Sequence, residues 1–176
     1  MQPFTNEAIN IDLLPKYQEI PLTKPHHSYW KVIAINILIF LFFLAAILVT
    51  LIITIPEVRA KLYLISSSYV LLAILLFYLY RKSFKKRGFA LRERDVIFKS
   101  GIIAETTTIV PLNRIQHVAL NEGIFSRMFK LGTLQIYTAG GLSGHLMIAG
   151  IEIEKAKQMK ELLLKKLEQL EPIPTV

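Results

Sequence analysis

VIAINILIFLFFLAAILVTLIITI (residues 32–55), PEVRAK (56–61) and LYLISSSYVLLAILLFYLY (62–80) together decide how this chain is organised. The first run has 24 residues with no charge, and only Asn36, Thr50 and Thr54 are polar. The second has 19 residues, again uncharged, with a Ser66-Ser67-Ser68 cluster. A helix needs about 20 apolar residues to cross a hydrocarbon core roughly 30 Å thick. Lipid gives the backbone no hydrogen-bond partners, so the spanning elements open to a chain are helices and closed barrels. The pattern predicts a membrane-embedded helical hairpin whose six-residue tip keeps the two helices antiparallel and in contact.

Close approach of the helices is expected at small side chains: Ala45 and Ala46 on the first, Ser66, Ser67, Ser68 and Ala73 on the second. Asn36 is the one amide in either span, about a turn inside one edge. An interhelix or interfacial hydrogen bond is the expected role for it, ahead of a transport site. Tyr29 and Trp30 before the first run, and Tyr78, Tyr80 and Phe84 at the end of the second, suit one headgroup region; Tyr63 suits the other.

Outward from the hairpin, charge is uneven. The formal net charge is +8, yet residues 1–80 hold five Lys/Arg against four Asp/Glu. Five basic residues follow the second span directly in RKSFKKR: Arg81, Lys82, Lys85, Lys86 and Arg87. Basic residues beside a span mark its cytoplasmic end and attract anionic lipid. The expected topology has both ends and everything after residue 80 inside, with a tiny external loop. The stretch has two readings, topology alone or topology with anionic-lipid contact, and Arg81, Lys82, Lys85, Lys86 and Arg87 are the headgroup candidates.

Residues 1–31 read as a cytoplasmic segment. Pro15, Pro21 and Pro25 argue against a continuous helix, and no basic region or small-residue cleavage site suggests a signal peptide. Ile9, Ile11, Leu13 and Leu14 either pack on the following domain or lie along the membrane.

After the basic link 81–87, periodicity changes. Residues 89–92, 96–99, 102–110, 114–120, 133–138 and 145–149 are short runs rich in Val, Ile, Thr, Phe and Tyr, separated by turn-forming residues. They predict an antiparallel sheet closing into a small barrel or sandwich. Residues 124–130 read as a short helix with Phe125, Met128 and Phe129 on one face. From about residue 152 to 170, Ile153, Ala156, Met159, Leu163, Leu167 and Leu170 recur at spacings of three and four, which predicts an amphipathic helix. Pro172 and Pro174 end it.

These pieces, in this order, resemble the bacterial pleckstrin-homology membrane proteins of the YdbS-like family. LPKYQEIPLTKPHHSYWKV precedes the spans, and FALRERDVIFKSGIIAETTTIVPLNRIQHVALNEGIFSRMFKLGTLQIYTAGG and IAGI follow the basic stretch. PLNRIQHV, FSRMFKLGTL and QIYTAGG are the most specific parts. The resemblance covers residues 14–170. It implies an α+β membrane protein: a two-helix hairpin, then over residues 88–171 a seven-stranded, partly open antiparallel barrel capped by the C-terminal helix. It also implies occurrence beside a larger relative with several such domains, and it carries no catalytic residues.

The residues point to no enzyme chemistry. Without cysteine there is no thiolate site. His26 and His27 are adjacent, a spacing that suits an interfacial pair better than a metal site, and His117 reads as a packed or surface histidine. Ala139 to Gly144 lacks the Lys-Ser/Thr ending of a phosphate loop and reads as a hairpin tip. Arg92, Arg94, Lys99 and Arg114 are expected to solvate outer strand faces. A pI near 9.7 also suits nucleic acid, but no stacking platform accompanies the basic residues. No cofactor is expected. The expected partners are membrane lipids, another membrane protein such as the larger relative, and a second copy of the chain. A non-enzymatic interaction module comes first, anionic-lipid recognition second, and an accessory transporter or channel subunit third, since uncharged spans mark no ion path.

Overall fold

The computed structural model describes residues 19–102, 104–139 and 144–170. Helix α1 covers Tyr29–Thr54, a short α2 covers Pro56–Ala60, and α3 covers Leu62–Lys86. Both long helices are long and apolar enough to cross a membrane. Thr50 and Thr54 donate to carbonyls of their own helix at 2.9 Å, which leaves their hydroxyls satisfied in lipid. At the tip, Ile55 turns extended before Pro56. The Arg59 guanidinium donates to the carbonyls of Ile52 and Ile53, capping the negative end of α1.

The seam between α1 and α3 differs from the one expected. Ile33, Ile37 and Leu41 pack against Tyr69, Ala73, Leu76, Phe77 and Phe84, so large apolar side chains make the contact at the domain end. Of the small residues, Ala73 joins this seam. Ala45 and Ser66 line a groove nearer the tip, and Ser68 lines a neighbouring one. Ser66 and Ser67 are exposed and donate to carbonyls of their own helix, and Ala46 is exposed. The polar bond between helices is made by Tyr69, whose hydroxyl donates to the Leu41 carbonyl at 3.0 Å. Asn36 instead donates to the Val32 carbonyl in its own helix, a correction with a simple cause: a short amide reaches one turn back more readily than across.

Six strands follow: β1 Gly88–Leu91, β2 Asp95–Ser100, β3 Thr106–Pro111, β4 Ile115–Asn121, β5 Leu131–Thr138 and β6 His145–Glu152. They form two three-stranded antiparallel sheets, β1-β2-β3 and β4-β5-β6. The partly open barrel implied by the resemblance takes the form of two sheets that do not close, and six strands rather than seven lie among the described residues. PLNRIQHV explains the break: a 3₁₀ turn over Leu112–Arg114 carries the chain from one sheet to the other, with Leu112 buried beneath it. The run 102–110 is not one strand, because β3 begins only at Thr106.

The two sheets share one core. Val96 and Val110 from the first meet Val118, Leu134, Ile136 and Ile148 from the second, and α5, Ile153–Leu170, adds Ala156 and Leu163. The apolar stripe of α5 thus does what its spacing predicts, with Met159 and Leu167 packed at its margin. Helix α4, Ile124–Met128, is shorter than expected, and Met128 is exposed rather than inside with Phe125 and Phe129.

Candidate functional site

The candidate site is the junction where hairpin and domain meet. Pro21 and Pro25 keep residues 20–28 out of a helix, leaving backbone groups free to bond sideways. Thr23 and Phe89 exchange both backbone hydrogen bonds, at 2.8 and 2.9 Å, so the pre-span segment touches the free edge of β1. Three residues later the His26 amide donates to the Gly150 carbonyl at 2.8 Å. Gly150 is the extra residue of a bulge in β6: Gly132 pairs with Ile151, Thr133 pairs with Ala149, and Gly150 is skipped. Its φ of +80° suits glycine, and its α-carbon lies against the Tyr29 ring at the start of α1.

Around Tyr29 an aromatic and cationic collar forms. Trp30 packs edge-on to Phe77 and tilted against Phe84. The Arg81 guanidinium lies 4.8 Å from the Trp30 ring centroid, and the Lys31 ammonium 5.7 Å from that of Phe129. Cation–aromatic pairs of this kind add about 0.5–1 kcal/mol each where exposed. Rings that pack on apolar neighbours while a cation sits over the face of Trp30 or Phe129 suit a headgroup layer.

The basic stretch is not a link. Lys and Arg are good helix formers, and α3 continues through them to Lys86. Nor do the five residues form one patch. Arg81 covers Trp30, Lys82 and Lys85 are exposed, and Lys86 pairs with Glu105 at 2.9 Å. Arg87 is half-buried, with one terminal nitrogen 3.5 Å from the Tyr29 hydroxyl and Nε buried without a partner. Lys99 reaches the same Glu105 carboxylate at 2.7 Å. Hydrogen bonds from Lys99 and then Lys86 hold the Glu105 carboxyl down to about 2. Glu105 thus ties the end of α3 to β2.

Arg92 is taken up by Asp95 in the β1–β2 turn, which raises its pKa further, while Arg94 and Arg114 are exposed. His117 and His145 flank Tyr137 on an exposed sheet face, with ring centroids 5.7 and 6.1 Å away. His26 and His27 lie ring to ring at 4.2 Å. Among the described residues no three His, Cys, Asp or Glu side chains gather as metal ligands. Residues 140–143 of the proposed hairpin tip, Ile103, and the apolar residues Ile9 to Leu14 lie outside the described residues.

Sequence reasoning missed Gly150, Tyr29 and Glu105 as junction residues and Tyr69 as the polar tie between the two spans. IAGI held a signal for the first, since a glycine inside a strand pattern marks a bulge or a close approach. The other three meet partners far along the chain, and no local pattern announces them.

Comparison with known proteins agrees with this architecture. Residues 31–167 match the family described as Bacterial PH domain. Over 73 residues the chain is 30% identical to UPF0699 transmembrane protein YdbS of Bacillus subtilis (strain 168), covering 42% of this chain and 44% of YdbS. Over 85 residues it is 33% identical to UPF0699 transmembrane protein YdbT of the same organism, covering 47% of this chain and 17% of YdbT. The chain thus spans less than half of either relative. No solved structure matches. With the family match running from the first span through the last helix, the chain belongs to the bacterial PH domain family, as a member carrying two membrane-spanning helices.

Proposed function

We propose that this protein is a membrane-anchored, non-enzymatic interaction module. It serves as a subunit of a membrane complex with a larger relative bearing several PH-like domains. The junction carries the reading. Thr23 on Phe89, His26 on Gly150 and Glu105 on Lys86 hold the domain at a set attitude to the hairpin. An anchor alone needs no such clamp, whereas a surface that must meet a membrane-bound partner gains from being pre-oriented. Membership of a PH-domain family supports binding over catalysis. The similarity to YdbT, a chain several times longer than the matched stretch, supports a larger relative as partner. The domain is read as cytoplasmic from the basic residues at its end of the hairpin.

Helix α4 touches α1 and leaves Ile124 and Met128 exposed, which supports a domain resting against the leaflet. Mild-detergent extraction and crosslinking at native expression test the proposal. The expected product joins this chain to a larger PH-domain protein; a bare monomer alone, with that relative present, overturns it. Anionic-lipid recognition is the second reading, favoured by the exposed cations Lys82 and Lys85 and by Arg87.

A further inference from the structure

The groove between α1 and α3 at the domain end of the hairpin is polar at its mouth and, apart from Asn36, apolar along its length. Ile33, Ile37, Phe40 and Leu76 wall it together with Asn36, whose amide is already donated to the Val32 carbonyl; Tyr29, Tyr80 and Arg87 stand at its mouth, and its volume is about 440 Å³, within the range of ligand sites. Tyr29 and Phe40 are separated by about 16 Å along the helix axis at 1.5 Å per residue. That is about half of a core roughly 30 Å thick, the depth of one leaflet.

Arg87 gives the mouth its chemistry. No acidic side chain among the described residues pairs with it, and its Nε is buried without a hydrogen-bond partner. Lys86, its neighbour, is already engaged by Glu105. A buried N–H left unbonded is unfavourable, and a guanidinium meets a phosphate with two parallel hydrogen bonds. The Tyr29 hydroxyl, 3.5 Å from the guanidinium, supports its position.

We propose that this groove holds one anionic glycerophospholipid, its phosphate on Arg87 and one acyl chain along Ile33, Ile37, Phe40 and Leu76. The inference rests on the hairpin spanning a membrane and is independent of which protein the domain meets. It sharpens the lipid reading from a diffuse basic stretch to one residue. A second copy or a partner helix in the groove is disfavoured, because an apolar helix would bury Arg87 without a counter-charge.

The test uses the full chain, extracted in mild detergent, exposed to equal amounts of phosphatidylglycerol and phosphatidylcholine, and weighed intact by native mass spectrometry. One phosphatidylglycerol per chain is expected to remain, with phosphatidylcholine largely lost because its choline cation offsets the phosphate charge that Arg87 meets. Arg87→Gln should lower retention about tenfold, as expected for removing charge-assisted hydrogen bonds. Arg87→Lys, which keeps the charge without the fork, should fall between, and Lys165→Gln, on the exposed side of α5, should retain the lipid. The chain has no cysteine, so Phe40→Cys reports the groove cleanly; it should stay monomeric under oxidation. Equal retention of the two lipids overturns the proposal, as does undiminished retention by both Arg87 variants. A disulfide-linked Phe40→Cys pair also overturns it, in favour of a second copy.

Discussion

Gly150 and Tyr29 are 121 positions apart in the chain and in direct contact: a Cβ built on Gly150 would stand 2.5 Å from Tyr29 Cγ. The strand that closes the second sheet therefore bulges where the first membrane helix begins. A bulge re-aims the backbone, here turning the Gly150 carbonyl to the His26 amide. The same residue therefore serves the sheet, the pre-span segment and the hairpin. The domain is keyed to the membrane anchor through its sixth strand as well as through the covalent link after α3.

Gly150→Ala should weaken this key on two counts. A non-glycine residue at φ +80° costs about 1–3 kcal/mol, and the methyl group must displace the Tyr29 ring. Limited proteolysis should show residues 19–28 cut faster than in the parent chain. Tyr29→Ala in the Gly150→Ala background should recover the part due to the clash and none of the part due to backbone strain. Unchanged proteolysis of Gly150→Ala would remove the keying role.

Leu134 is fully buried between the sheets and under α5, whereas Ile109 on β3 is 40% exposed. Leu134→Ala should cost about 2–5 kcal/mol through lost burial and a residual cavity. Ile109→Ala should cost well under half as much. Thermal unfolding in detergent, followed by far-ultraviolet circular dichroism, distinguishes them. Equal losses would mean that the shared core is misassigned.

Glu105 supplies the pH dependence. Its carboxyl is held at about 2 in the fold against an ordinary 4.5, so the charged form is favoured by folding. A depressed acid contributes stability that is fully present above its ordinary value and fades as pH falls from about 4.5 toward 2. The α3-to-β2 tie should therefore loosen across that acidic window and stay constant near neutrality. Both partners are partly exposed, so salt should also weaken it. Carboxyl-selective NMR titration of the full chain in micelles would read this directly. A Glu105 midpoint near 4.5 would show that the two lysines do not hold it.

Trp30 is the sole tryptophan, and that makes its environment measurable. It should fluoresce as an interfacial residue, quenched more by nitroxides near the headgroups than by those deep in the acyl chains. Arg81→Ala should shift its emission and cost about 0.5–1 kcal/mol, the worth of an exposed cation–aromatic pair. Strongest quenching by the deepest nitroxide would place the aromatic collar in the wrong layer.

What the residue order discloses follows how local each cause is. The hairpin is legible because uncharged length is a property of contiguous residues, and the six strands because alternation and turn residues lie side by side. The end of α3 is not legible in the same way, because apolarity marks where lipid stops, not where a helix stops. Lys85 and Lys86 continue the helix without being apolar. The division into two sheets is less legible, because PLNRIQHV bends into a buried 3₁₀ corner, which short runs of β-favouring residues do not reveal. The candidate site was least legible of all. Its basic residues were found as a cluster in sequence, yet Glu105, Trp30 and Tyr29 draw three of them to separate tasks.

Orientation is the prediction on which the functional reading turns. Arg81, Lys82 and Lys85 stand at the domain end of α3, whereas the tip holds Arg59 and Lys61 against Glu57. The charge bias thus favours the domain end as cytoplasmic. Because the chain lacks cysteine, single replacements report it without background. Lys61→Cys at the tip should react with a membrane-impermeant maleimide in intact cells. Lys165→Cys, on the exposed side of α5, should react only after permeabilisation. The reverse pattern would put the domain outside, remove the inner leaflet as the place where it meets a partner, and leave the basic end of α3 contradicting the charge rule.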